Sequence, residues 1–289
     1  MTMPNLFLIA APRAGSTQLA RWLATHPDIS LSLVKEPNFF AAHEFDSAYV
    51  SASHLDDVDP TKPVTRPTQF AVFRDPARYG ALFENMTTRW RMEASTSYLS
   101  CPQSPELIAA ACPDARVILL HREPVARALS HYQLARRTGR TQASLMDELE
   151  TEISGQLPCA ACYLLRPSLQ LPGVARFERI FPKRSTTLQF EAMIKSPQAA
   201  LAQVARLLDI DPTGFDVTAR AQNAGAEPRF AQLNALLMRS GLKTRLRQIL
   251  PAPVKPYLRR LWFNDNCRAP INAAEIAALK SALEAQCAS

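Results

Sequence analysis

The sequence predicts an α/β fold in which a central parallel sheet carries helices on both faces, and three strand-then-helix units predict it. The first opens with the continuous apolar run Leu6-Phe7-Leu8-Ile9-Ala10-Ala11, which suits a strand covered on both faces. It passes through Pro12-Arg13-Ala14-Gly15-Ser16-Thr17 into a helix with Leu19, Ala20, Trp22 and Leu23 at helical spacing. His26-Pro27-Asp28 ends that helix, because proline cannot continue it and biases the residue before it away from helical geometry. In the second unit, Val117-Ile118-Leu119-Leu120 leads through His121-Arg122-Glu123-Pro124 into a helix whose Val125, Leu129 and Tyr132 share a face. Pro124 fits its first turn. The third unit is a strand over Thr186–Phe190, followed after Lys195-Ser196-Pro197 by a helix bearing Ala200, Leu201, Val204, Leu207 and Leu208.

Segments 46–80 and 139–172 are richer in Pro, Ser, Thr and Asp and are predicted to be connecting loops, natural borders for an acceptor cleft. From about residue 228 the chain reads as helices broken by Pro251, Pro253 and Pro256, ending in a helix over Ala273–Ala285. The 289 residues are expected to form a single domain, 1–289, with a core at about 5–225 and a basic helical C-terminal segment at about 228–289.

Composition narrows the function classes. With 47% hydrophobic and 20% charged residues the chain is an ordinary globular one. No apolar run approaches the roughly 18 residues of a membrane-spanning helix, and Leu6–Ala11 is too short for a signal segment, so a cytoplasmic protein is expected. The six cysteines (Cys101, Cys112, Cys159, Cys162, Cys267, Cys287) are expected to be reduced thiols. Cys159 and Cys162 have CxxC spacing, but no second pair or nearby histidine completes four ligands, so no metal site is expected. The net charge of +7 is concentrated between residues 228 and 264, where eight basic residues stand without one acid. That segment should attract an anionic partner. Its Leu233, Leu236, Leu237, Leu246, Ile249 and Leu250 fit amphipathic helices that pack on the core with a solvated basic face, bind the ligand's phosphate or an anionic acceptor, or rest peripherally on an acidic membrane. Nucleic acid is not expected, because the basic residues lack a matching series of aromatic stacking groups.

The loop after the first strand carries the strongest chemical signal. A strand turning sharply into a helix leaves the first N–H groups of that helix pointing at the turn, where the helix dipole also favours negative charge. Gly15 allows close approach of the backbone, Ser16 and Thr17 add hydroxyls, and Arg13 adds a permanent forked cation. The nucleoside-triphosphate fingerprint G-x-x-x-x-G-K-[ST] is not met, since Ser16 stands where the lysine belongs. The strand Val117–Leu120 likewise ends in His121-Arg122 and not in an aspartate able to hold Mg²⁺. These departures point to a phosphate-bearing donor used without metal.

Pro12-Arg13-Ala14-Gly15-Ser16-Thr17 resembles the 5′-phosphosulfate loop of the sulfotransferases, PKxGTT or PRSGTT. The run Arg122-Glu123-Pro124-Val125-Ala126-Arg127-Ala128-Leu129-Ser130-His131-Tyr132 resembles their 3′-phosphate segment, RxPxxRxxSxY. Further similar stretches are Lys35-Glu36-Pro37-Asn38-Phe39-Phe40, Glu93-Ala94-Ser95-Thr96-Ser97-Tyr98-Leu99 and Phe190-Glu191-Ala192-Met193-Ile194, nearest the heparan-type and bacterial branches. The resemblance implies a P-loop nucleotide-kinase-like three-layer α/β fold. It implies sulfonate transfer from 3′-phosphoadenosine 5′-phosphosulfate to an acceptor hydroxyl on a carbohydrate or small metabolite, with 3′-phosphoadenosine 5′-phosphate left behind.

The site residues implied are Arg13, Ala14, Gly15, Ser16, Thr17 and Gln18 for the 5′ end of the cofactor and Arg122 with Ser130 for its 3′-phosphate. Arg13 stabilises the leaving charge without donating a proton. Glu36 matches the heparan-type catalytic glutamate and is the expected general base, with Glu93, His43 and His54 in reserve and Lys35 near the sulfonate or acceptor. Two positions depart from the pattern: Ala94 where heparan-type enzymes often have lysine, and Gln170, in Ser168-Leu169-Gln170-Leu171-Pro172, where bacterial relatives commonly have tyrosine. An atypical P-loop kinase or NTPase and a non-catalytic polyanion-binding protein are the competing readings.

Overall fold

Five parallel strands organise the chain around β1 (Leu6–Ala10), whose every residue is buried. The structure is a computed structural model that describes residues 2–46, 63–155, 157, 161–218, 227–228, 263–264 and 271–288. From β1 the chain enters α1 (Ser16–Leu23) and then β2 (Ile29–Leu31). β3 (Val34–Glu36) and β4 (Thr68–Phe70) form a small parallel pair, followed by α2 (Pro76–Ala81), β5 (Trp90–Ser95) and α3 (Ser104–Ala111). Then come β6 (Arg116–His121), α4 (Pro124–Thr138), α5 (Leu145–Ile153) and α6 (Leu171–Ile180). β7 (Ser185–Gln189), α7 (Phe190–Lys195) and α8 (Pro197–Leu208) follow; a two-residue antiparallel pair, β8 (Glu227–Pro228) with β9 (Phe263–Asn264), precedes α9 (Ala273–Ala288).

The sheet order is β2-β5-β1-β6-β7. β1 sits between β5 (Leu6 opposite Met92) and β6 (Leu6 opposite Arg116). The chain leaves β1 toward the β2 edge and leaves β6 toward the β7 edge, so the carboxyl ends of these neighbours flank a topological switch point. Open α/β sheets bind ligands in the crevice at such a point. The main core packs along the sheet from Phe7 and Ile9 to Phe177 and Leu208. A second cluster joins Tyr132, Leu145 and Leu149 to Leu279 and Leu283, which docks α9 against α4 and α5.

The loops expected at 46–80 and 139–172 hold β4, α2 and α5 as well. Composition there is polar, but local capping decides: Asp75 accepts the Arg78 N–H ahead of Pro76, and Ser144 with Asp147 forms a reciprocal capping box. Leu145 and Leu149 then bury against α4. Phe190, expected to end a strand, begins α7. β5 was hidden from apolar patterning because Glu93 and Ser95 are buried in it. The basic stretch 229–262, with the helices and partners expected of it, lies outside the described residues. Among the described residues no helix is long and apolar enough to cross a membrane.

Candidate active site

The turn after β1 presents the start of a helix to a cleft. Arg13 (φ 71°) and Gly15 (φ 88°) both take left-handed backbone, and α1 starts without a side-chain cap, since Gly15 has no side chain to offer. Gly15, Ser16, Thr17 and Gln18 therefore present the first turn of the helix to a cleft of about 580 Å³. Gly15 is required on a second ground: a Cβ there would sit 2.8 Å from two ring carbons of Phe190, which covers the turn.

β6 brings a second basic group to the same cleft. Arg122 donates from its NH1 to the carbonyl of Arg13 (2.9 Å), and its guanidinium stacks over the Phe190 ring at 4.4 Å. Its buried Nε makes no hydrogen bond and has the Glu191 carboxylate 3.7 Å away. Gln170 fixes the Arg122 backbone from both sides, accepting its N–H and donating to its carbonyl, each at 2.8 Å. One turn into α4 and beyond, Ser130 accepts from Arg13 Nε at 3.2 Å. Burial, and then Arg137 and Arg122, weaken the hold of Arg13 on its proton. Burial likewise pulls Arg122 down against the opposing pull of Glu191 and Glu123. Positive charge so concentrated is relieved by a polyanion.

Glu36 closes the cleft from the opposite wall. Its Oε1 accepts from Lys35 Nζ (2.8 Å) and Gln69 Nε2 (3.2 Å), and its Oε2 from the Thr96 hydroxyl (2.9 Å). The Lys35 ammonium also donates to Ser16 Oγ at 3.2 Å, tying the carboxylate to the anion-binding turn. Asn38, in left-handed backbone (φ 53°), donates its amide to the carbonyls of Glu36 (2.8 Å) and Ala71 (2.9 Å) and accepts from Ser97 Oγ (2.6 Å). The end of β3 is thereby held rigidly.

Two buried charged groups support these walls. Glu93 accepts from Ser95 (2.5 Å), Tyr79 (2.8 Å) and Tyr98 (2.8 Å), yet its burial outweighs those bonds and pushes its pKa up to about 7. Arg127 donates to Ser168 Oγ (2.8 Å) and to the carbonyls of Tyr163 (2.6 Å) and Leu164 (2.9 Å), while burial lowers its pKa to about 9. Glu152 accepts the N–H groups of Tyr163, Leu164 and Leu165 from the other side. Burial, then Arg127, keeps His131 well below its usual range, so it is a neutral ring whose Nδ1 accepts from Arg127 at 3.2 Å.

Of the residues expected at the site, Arg13, Gly15, Ser16, Thr17, Gln18, Glu36 and Arg122 line one cleft. Ser130 reaches it through Arg13. Ala14 does not line it; its side chain is packed in the core below the turn. Glu93 is fully buried, His43 is exposed and does not line the cleft, and His54 lies outside the described residues. Ala94 is packed within the sheet and offers no contact to an acceptor. Sequence reasoning missed Asn38, Thr96, Gln69, His131 and Phe190 as cleft residues. Four of them stand inside the quoted motif-like stretches, which was the available signal; Gln69 had none.

A sequence profile for the sulfotransferase family matches residues 4–214. Among curated proteins the chain is similar to carbohydrate sulfotransferase 15 of Mus musculus, 25% identical over 45% of this chain and 27% of the relative. It is also similar to the bifunctional heparan sulfate N-deacetylase/N-sulfotransferase 1 of Caenorhabditis briggsae, 28% identical over 46% of this chain and 13% of the relative. The chain thus spans about a quarter or less of the length of these relatives. A sulfotransferase structure from Alicyclobacillus acidocaldarius shares the fold, with a TM-score of 0.63 and 24% identity over 90% of this chain and 96% of that one.

Proposed function

The chain belongs to the sulfotransferase family, and from that premise we propose that it moves a sulfonate group from 3′-phosphoadenosine 5′-phosphosulfate to an acceptor hydroxyl. The carrying observation is that the turn after β1 and Arg122 line one cleft, with Ser130 behind them, joined by the Arg122 to Arg13 and Arg13 to Ser130 hydrogen bonds. A ligand with anionic groups at two ends fits this arrangement.

In this reading the N–H groups of 15–18 and the Arg13 guanidinium hold the 5′ end, where charge grows as the sulfur–oxygen bond to the 5′-phosphate breaks. Arg122 and Ser130 hold the 3′-phosphate, and Phe190 fixes Arg122 by stacking. Glu36 takes the acceptor's proton on Oε2, which carries one hydrogen bond against two on Oε1, as the acceptor oxygen bonds to sulfur. Lys35 joins the base to the Ser16 side of the site. The acceptor is a carbohydrate or small hydroxylated metabolite; the two curated relatives, both named for carbohydrate substrates, favour the former. Cys101 and Cys112, both buried and in no disulfide, suit a cytoplasmic setting.

Calorimetry separates this function from its rivals. 3′-Phosphoadenosine 5′-phosphate should bind in preference to ATP with Mg²⁺; preference for ATP would indicate a kinase or NTPase. Glu36→Gln should retain nucleotide affinity and lose about 100-fold or more in transfer to a screened hydroxyl acceptor. Unchanged turnover would remove Glu36 from the base role, and no turnover by the wild type with any acceptor would favour a polyanion binder.

A further inference from the structure

Three metal-ligating side chains of different types converge where the helical turn Phe39–Glu44 meets the turn leading into α3. Cys101 Sγ lies 3.6 Å from His43 Nε2. Gln103 Oε1 lies 3.2 Å from that nitrogen and 3.6 Å from the sulfur. A carboxylate oxygen of Glu44, a ring nitrogen of His43 and Cys101 Sγ form a group whose members are all within 4.8 Å of one another. Tetrahedral zinc, with bonds of about 2.3 Å to sulfur and about 2.0 Å to nitrogen or oxygen, sets neighbouring ligand atoms about 3.3 to 3.6 Å apart. The His43, Cys101 and Gln103 atoms already stand at the edge lengths of one face of such a tetrahedron.

We propose that His43, Glu44 and Cys101 bind a zinc-class divalent cation, with the Gln103 amide oxygen as fourth donor. Mixed nitrogen, sulfur and oxygen donors select zinc or cobalt over magnesium or calcium. The thiol is buried and His43 is exposed, so the cation enters from the histidine side. Arg166 NH2 holds both Glu44 oxygens at 2.9 Å, the outer support a ligating carboxylate ordinarily has. His43 and Glu44 follow the Glu36–Asn38 wall of the cleft, and Cys101 and Gln103 follow its Thr96–Ser97 wall. The cation clips those walls together and takes no part in sulfonate transfer.

Cobalt(II) is the probe, because a thiolate ligand gives a charge-transfer band and tetrahedral geometry gives visible bands. The full chain should develop both at one equivalent, lose them to one equivalent of zinc, and keep them in excess magnesium. Cys101→Ser should abolish the charge-transfer band, and His43→Ala should weaken cobalt binding at least about 10-fold. His43 is exposed, so its variant tests the site even if Cys101→Ser folds poorly; circular dichroism checks both. Absence of the bands in the wild type, or bands of equal strength in both variants, overturns the site.

Discussion

Glu36, at the end of β3, and Glu93, within β5, are carboxylates with opposite surroundings. Glu36 borders the cleft and is met by an ammonium, an amide and a hydroxyl, whereas Glu93 is sealed among hydroxyls without a cation among its hydrogen-bond partners. The folded chain holds the Glu93 proton up to about pH 7, against an ordinary value of 4.5. Between those values the folded state binds more protons than the unfolded one, so the Glu93 contribution falls as pH rises and its loss is complete above about pH 7. The fall is about 3 kcal/mol. Glu93→Gln should remove it: in urea unfolding the stability of the wild type relative to the variant should fall by that amount as pH rises from about 4.5 to about 7, and a pH-independent difference would mean that burial does not govern this group. Glu36 was legible in the sequence through its resemblance to a known catalytic segment. Asn38 and Thr96, which orient it, were not, because their role appears only when β3 and β5 lie side by side.

At the scale of elements, the turn from β1 to α1 and the start of α7 form one device. Gly15→Ala should cost about 1–2 kcal/mol from its left-handed backbone alone, and more from the collision with Phe190. Adding Phe190→Ala should recover the second part and not the first, as a double-mutant cycle in urea would show. Phe190→Ala should also weaken 3′-phosphoadenosine 5′-phosphate binding by freeing the Arg122 guanidinium, and Arg122→Ala should weaken it roughly 10- to 100-fold by calorimetry. Arg127→Lys should destabilise by about 3 kcal/mol, since an ammonium cannot serve Ser168, Tyr163 and Leu164 together. The first two strand-turn-helix units were readable because the unbroken apolar runs Leu6–Ala11 and Val117–Leu120 open them. β2 and β4 are three residues long, too short for any periodicity to register, and α5 announced itself only by its capping box.

Across the whole molecule, ligand affinity should be strongly dependent on salt. Arg13, Arg122, Arg137 and Arg140 line a cleft that opposes them with Glu36 and Glu44, and mobile ions screen that field over about 8 Å at physiological strength. Melting temperature with saturating 3′-phosphoadenosine 5′-phosphate should rise, and the rise should shrink as sodium chloride is added. Sheet order was not readable from sequence, because parallel strands are joined through helices and their neighbours are set by packing. That order places β1 between partners starting at Trp90 and Arg116. At translation rates of about 5 to 20 residues per second, Leu6–Ala10 is synthesised roughly 5 to 20 s before β6 exists to flank it. Until β5 is made this wholly buried strand has both hydrogen-bonding edges bare, and until β6 is made it keeps one of them bare, a template for non-native pairing during synthesis.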